Sequence, residues 1–272
     1  MRIEIDHTLN LTLPPGIGQA VLHLLLTPSS GPTQSVDSWS VEVAGIGNAG
    51  RFQDAYGNQV HLVNQSRPEG DIVLRARGIV ATRDTHGVLG KPSGEPVPAL
   101  YKRVTPLTKA PVTLYGKFRS AKESRIDMLH ALMARVGETL GLPDPETAPT
   151  QMQATGEQSQ TQSQDADAPA PKPLPSAPDY AHSFIGAARA LDIPARYVTG
   201  YVLEGEGLEP GLHAWAEAYD EGLGWIGFDP RLQICPVEAH VRLAVGLDAD
   251  SARPLRTVPV GEISQTVIAK AG

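Results

Sequence analysis

His213-Ala214-Trp215-Ala216-Glu217-Ala218-Tyr219-Asp220-Glu221-Gly222-Leu223-Gly224-Trp225-Ile226-Gly227-Phe228-Asp229-Pro230 is the stretch whose reading decides the fold. Two strand-like runs, His213 to Tyr219 and Gly224 to Phe228, flank Asp220-Glu221-Gly222, a good turn sequence. The segment predicts a β-hairpin with His213 near one end and Asp229 near the other, and residues on adjacent strands can face one another across the pair. Just upstream, Ala195 to Leu203 reads as a further strand. Before it Ala181, Phe184, Ile185, Ala188 and Leu191 form a helical stripe that starts at Asp179. Ile193-Pro194 ends that helix, because the residue before a proline is pushed toward extended geometry.

Further outward the composition changes. From Gly141 to Pro178 there is no Phe, Trp or Tyr, and runs such as Gln158-Ser159-Gln160-Thr161-Gln162-Ser163-Gln164 cannot bury enough apolar surface to offset their ordering entropy. Residues 141–177 are therefore expected to be a low-complexity, mostly disordered linker. Ahead of it, Ile126, Leu129, Met133, Val136 and Leu140 recur at three- and four-residue steps after Ser120, an N-cap candidate, which predicts one amphipathic helix within 113–140. Residues 1–112 give short alternating segments, Arg2 to Asp6, Val21 to Leu26, Trp39 to Val43, Gln59 to Val63 and Ile72 to Val80. Pro14-Pro15-Gly16, Pro28-Ser29-Ser30-Gly31-Pro32 and Tyr56-Gly57-Asn58 separate them as turns. The fold class expected is α+β: a β-sandwich-like domain at 1–112, then a core at 178–272 with a central helix packed on an antiparallel sheet.

The 272 residues carry a formal net charge of −7 and no block of consecutive basic residues, which argues against nucleic acid as a partner. The first apolar run, Ala20 to Leu26, is interrupted by His23 and lacks a basic flank, so neither a signal peptide nor a membrane span is expected. Cys235 is the only cysteine, which excludes an intramolecular disulfide and a multi-cysteine metal site and fits a cytoplasmic location. No cofactor is expected.

The helix, the histidine and the carboxylate are parts of a known machine. Papain-type cysteine amidases place a thiolate at a helix N-terminus, where backbone N–H groups lower its pKa, beside a histidine that exchanges the proton and a side chain that holds the imidazole. Asp179-Tyr180-Ala181-His182-Ser183-Phe184-Ile185, Ala188 to Tyr201, His213 to Tyr219, Gly224 to Pro230, His240-Val241-Arg242 and Gly246-Leu247-Asp248 together resemble the bacterial transglutaminase-like family. Asp54-Ala55-Tyr56-Gly57-Asn58 and Thr105-Pro106-Leu107-Thr108 are similar to the β-rich domain that precedes this core. The resemblance implies a cysteine two residues before Asp179, and Ala177 stands there, with Pro178 in place of a polar residue. It also implies that His213 and Asp229 are the remnant base and orienter.

A methyl group cannot attack a carbonyl, so the leading expectation is a pseudoenzyme that binds a peptide or protein in a retained cleft. The resemblance further implies a hetero-complex with ATP-grasp-type or α-helical peptide-ligase-like proteins. The alternative is an amidase, protease or transglutaminase whose cysteine at 177 was replaced, or one that uses Ser176 or Cys235. Ser176 could be a displaced hydroxyl nucleophile, and its plainer reading is an N-cap. Cys235 could be a relocated thiol, and its plainer reading is a small buried residue. Asp179, His182 and Trp215 complete the cleft candidates. His182 with His213 and Asp229 lacks the spacing of a metal site, so no metal is expected, and Trp215 is as readily a core or cross-strand aromatic.

Overall fold

The computed structural model of the chain describes residues 1–68, 70–120, 124–141, 175–203 and 211–272; the linker expected at 141–177 falls, except for its two ends, outside the described residues. The first part of the chain forms β1 (Arg2–Thr12), β2 (Gln19–Thr27), β3 (Gln34–Glu42), β4 (Gly50–Gln53), β5 (Gln59–Ser66), β6 (Ile72–Thr82) and β7 (Val88–Gly90). Three helices follow, α1 (Val112–Tyr115), α2 (Arg125–Leu140) and α3 (Ala177–Ala190). The rest consists of β8 (Ala195–Val202), β9 (Gly211–Asp220), β10 (Gly224–Phe228), β11 (His240–Gly246), β12 (Leu255–Val258) and β13 (Glu262–Ala271).

Alternation in β1 sends Ile3, Ile5, Leu9 and Leu11 inward, as the period of two requires. Two antiparallel four-stranded sheets, β13-β1-β6-β3 and β12-β2-β5-β4, share a core of Leu9, Leu11, Leu22, Leu24, Val63 and Leu74. The second half is a five-stranded antiparallel sheet in the order β11-β8-β9-β10-β7 with helices on one face. Ala214, Ala216 and Ala218 of β9 are small enough to let α3 lie close against the hairpin, where Tyr180, Phe184, Ile185 and Ala188 meet Ile226 and Phe228. Each fully buried Phe, Ile or Leu in such a cluster contributes roughly 1.5–3 kcal/mol. Arg189, near the end of α3, is buried and donates to the carbonyls of Tyr101, Ala195 and Leu247 and to Thr108 Oγ1, so one guanidinium ties four segments together.

Two boundaries differ from the sequence reading. β7 lies before residue 112 yet pairs with β10 in the core sheet, while β12 and β13 lie after 178 yet pair with β2 and β1, down to Ile3 opposite Ala271. Strand partners that far apart leave no trace in local pattern, so the two halves exchange strands where one division was expected. The cap of α2 is Ser124, whose hydroxyl accepts from the Asp127 amide, and not Ser120, which lies in a preceding 3-10 turn. Both serines precede the periodic run, but only Ser124 is spaced to reach the N3 amide.

The halves are joined by apolar packing of Ile3, Ile5, Val60 and Val80 on Tyr201, Val241 and Leu243. Polar side chains of the sandwich add to the joint. The Gln34 amide donates to the Arg242 carbonyl and accepts from the Arg242 N–H, each at 2.8 Å, and Asn58 does the same with Val245 at 2.7 and 2.8 Å. Thr82 Oγ1 donates to the Glu238 carbonyl at 2.6 Å. Among the described residues, no helix is long and apolar enough to cross a membrane.

Candidate functional site

The hairpin brings the histidine and the carboxylate together: His213 Nε2 lies 2.6 Å from Asp229 Oδ2, with Asp229 fully buried and His213 nearly so. Asp229 follows the last residue of β10 and bridges back to Ile234, closing a tight loop in which the Arg231 and Leu232 amides donate to Asp229 Oδ1 at 3.1 and 3.2 Å. A second histidine shares Oδ2 with His213. His240, first residue of β11, sits with Nε2 3.3 Å from Asp229 Oδ2. Burial alone would raise the Asp229 pKa, but the hydrogen bonds and charge of His213 and His240 outweigh it and draw the carboxyl down to about 2.

With Asp229 ionised, His213 Nε2 carries the proton it shares with the carboxylate. The ring's other nitrogen, Nδ1, has no partner among the described residues and is not among the atoms sealed from solvent, so it is the open acceptor of the site. His240 is fixed from both sides, because its Nδ1 accepts from the Val237 amide at 3.3 Å and its Nε2 therefore faces Asp229 as a donor. His213, Asp229 and His240 have the composition of a metal site, their donor atoms lying within 4.8 Å of one another. A cation on His240 Nε2 would require a proton on Nδ1, directly against the Val237 N–H, so the trio fits a hydrogen-bonded relay better than a ligand set.

Ala177 is the first residue of α3 and is buried in the same cluster as Ala214 and Phe228, the chain neighbours of His213 and Asp229. Its methyl group stands at the positive end of the helix dipole, where a thiolate would be stabilised. Ser176 is the N-cap, in a reciprocal capping box: the Asp179 carboxylate accepts from the Ser176 amide at 2.7 Å and from its hydroxyl at 2.6 Å. Asp179 is thereby tied to the helix end. His182 Nε2 accepts from the Ala249 amide at 3.0 Å and its ring stacks on Tyr197, with burial holding its pKa below the usual value. It takes no part in the Asp229 relay.

Trp215 is buried, packed with Val198 and Val245, and meets His240 edge-on at 5.4 Å. Gly200 of β8 makes room for it, since a Cβ there would overlap the Trp215 ring and the Val241 carbonyl. Cys235 has its Sγ 3.5 Å from His130 Nε2 and its Cβ against Gly87, and burial pushes its thiol pKa up. The residue that sequence reasoning missed is His240. It stood in the quoted His240-Val241-Arg242, but a lone histidine opening a strand gives no sign that it reaches a carboxylate beyond another strand.

A helix N-terminus, a histidine and a buried carboxylate on an antiparallel sheet are the arrangement on which papain-type cysteine chemistry is built. Residues 149–230 match the Transglutaminase-like superfamily, and residues 3–81 match the Bacterial transglutaminase-like N-terminal region, so the chain is a transglutaminase-like superfamily member with the bacterial N-terminal region. A crystal structure from Cytophaga hutchinsonii, described as a candidate cysteine protease, shares the fold with a TM-score of 0.64 at 18% identity, over 99% of this chain and 89% of that one. An uncharacterized Mycobacterium leprae (strain TN) protein, ML0607, is 32% identical over 89 residues, which are 30% of this chain and 31% of that protein, so the match spans under a third of the relative's length. The periplasmic domain of TgpA from Pseudomonas aeruginosa, bound to ethylmercury, aligns over 85% of this chain and 90% of its own at 16% identity, with a TM-score of 0.34.

Proposed function

We propose that this chain is a non-catalytic transglutaminase-like protein that uses the retained cleft to bind a peptide or protein segment. The observation that carries this reading is Ala177 at the N-terminus of α3, in one cluster with the residues flanking an intact His213–Asp229 pair. Loss of the nucleophile of such a constellation costs about 10⁶-fold in kcat in a well-studied serine protease. The other candidate nucleophiles are engaged elsewhere: the Ser176 hydroxyl bonds Asp179, and the Cys235 thiol lies beside His130 with a raised pKa.

The test restores the thiol. Ala177→Cys is expected to give a cysteine labelled by iodoacetamide far faster than Cys235, with the excess rate abolished by His213→Ala, while the unmodified chain turns over no peptide amide. A restored thiol that reacts like a surface cysteine would refute the retained-cleft reading. Turnover by the unmodified chain would refute the non-catalytic one, and its loss in Cys235→Ala or Ser176→Ala would name the nucleophile. Partner binding is tested separately by co-purification of the tagged chain with ATP-grasp-type or α-helical peptide-ligase-like proteins.

A further inference from the structure

We propose that His240 is a positioning residue for His213, acting through the carboxylate they share and held in place by the N-terminal sandwich. The proposal rests on the reading of His213 as a retained base. Asp229 has each oxygen filled by two donors, the Arg231 and Leu232 amides on Oδ1 and the two histidines on Oδ2. A carboxylate so saturated has little freedom to rotate, and it holds the His213 ring with Nε2 toward the protein and Nδ1 toward solvent. His240 is the one donor among these four that comes from outside the hairpin and its closing loop.

Its own placement is over-determined. The Val237 amide fixes its tautomer, Trp215 packs against the face of the sheet that Gly200 leaves open, and Thr82 and Gln34 bind the backbone of Glu238 and Arg242, two residues to either side. A base–orienter pair alone needs none of this. The arrangement makes the N-terminal sandwich part of the support of the site, along the path from Thr82 and Gln34 through β11 and His240 to Asp229 and His213.

The experiment compares His240→Leu with His240→Gln, both shown to be folded, in two backgrounds. Gln keeps an amide donor where Leu removes it. With Ala177→Cys present, His240→Leu should slow iodoacetamide labelling by roughly tenfold, the share of one hydrogen bond to a charged group, and His240→Gln should keep most of the rate. In the otherwise unmodified chain, NMR titration of His213 should show a higher midpoint in His240→Leu than in His240→Gln. With one donor gone more of the Asp229 charge falls on His213, whose ring is met by Asp229 from the end of β10 and by His240 from β11 as its titratable neighbours among the described residues.

Equal midpoints in the two folded variants would overturn the proposal, whatever the labelling shows. A thiol restored by Ala177→Cys that depends on His213 but is indifferent to His240 would overturn it while leaving the proposed function intact. If that thiol is inert, the proposed function fails, and the His213 midpoint still decides whether His240 acts on His213.

Discussion

At the scale of single residues, the histidines of this chain do different work according to what surrounds them. His213 keeps one ring nitrogen open, whereas His7 of β1 has both occupied, Nδ1 at 3.0 Å from the Tyr201 hydroxyl and Nε2 at 3.1 Å from Gln265 Oε1. Burial lowers its pKa from the ordinary 6.5 to about 4, with the Gln265 bond and Asp6 opposing. The unfolded chain therefore binds a proton that the folded chain refuses. Stability from this group is fully present above about pH 6.5 and is lost as pH falls toward 4, by up to about 3 kcal/mol. His7→Gln is expected to flatten the stability profile across that window, read by urea unfolding at several pH values. A profile as steep as that of the parent chain would assign the acid sensitivity to other groups.

At the scale of elements, α3 owes its first turn to local chemistry. Ser176→Ala removes the cap hydroxyl and should cost about 1 kcal/mol in unfolding free energy without changing the labelling of a thiol introduced by Ala177→Cys more than twofold. A loss of that labelling with no loss of stability would make Ser176 part of the site instead. The hairpin and α3 were legible in the sequence because each carries its own signal: alternation around Asp220-Glu221-Gly222, and a stripe opened by Ser176 with Asp179 three residues on. β1, β2, β3, β5 and β6 were legible for the same reason, whereas the short, exposed β4 was not. β7, three residues long, and β13, whose partner β1 lies at the other end of the chain, were not, since pairing is decided by tertiary packing rather than by the segment itself. The site follows the same division. His213 and Asp229 could be read from one hairpin, but His240 reaches Asp229 from a strand on the far side of β8, and nothing within β11 announces that contact.

At the scale of the molecule, the sandwich and the core are interlocked by strands that each contributes to the other, and the joint is polar as well as apolar. β11 is the outer strand of the core sheet, and its Arg242 and Val245 backbone groups are met by the side-chain amides of Gln34 and Asn58. Each amide donates and accepts as a peptide group would, so two side chains stand in for a missing sixth strand. A bare strand edge is a template for other chains. The sandwich thus protects the core from self-association, and residues 83–254 produced alone should aggregate in a concentration-dependent way, measured by light scattering, while Gln34→Ala with Asn58→Ala in the full chain should show a milder form of the same fault. If the isolated core stays monomeric at high concentration, the amides serve alignment only. The β11 edge that these two side chains cover, and through which Gln34 also steadies the site, would otherwise be the place where this protein begins to polymerise.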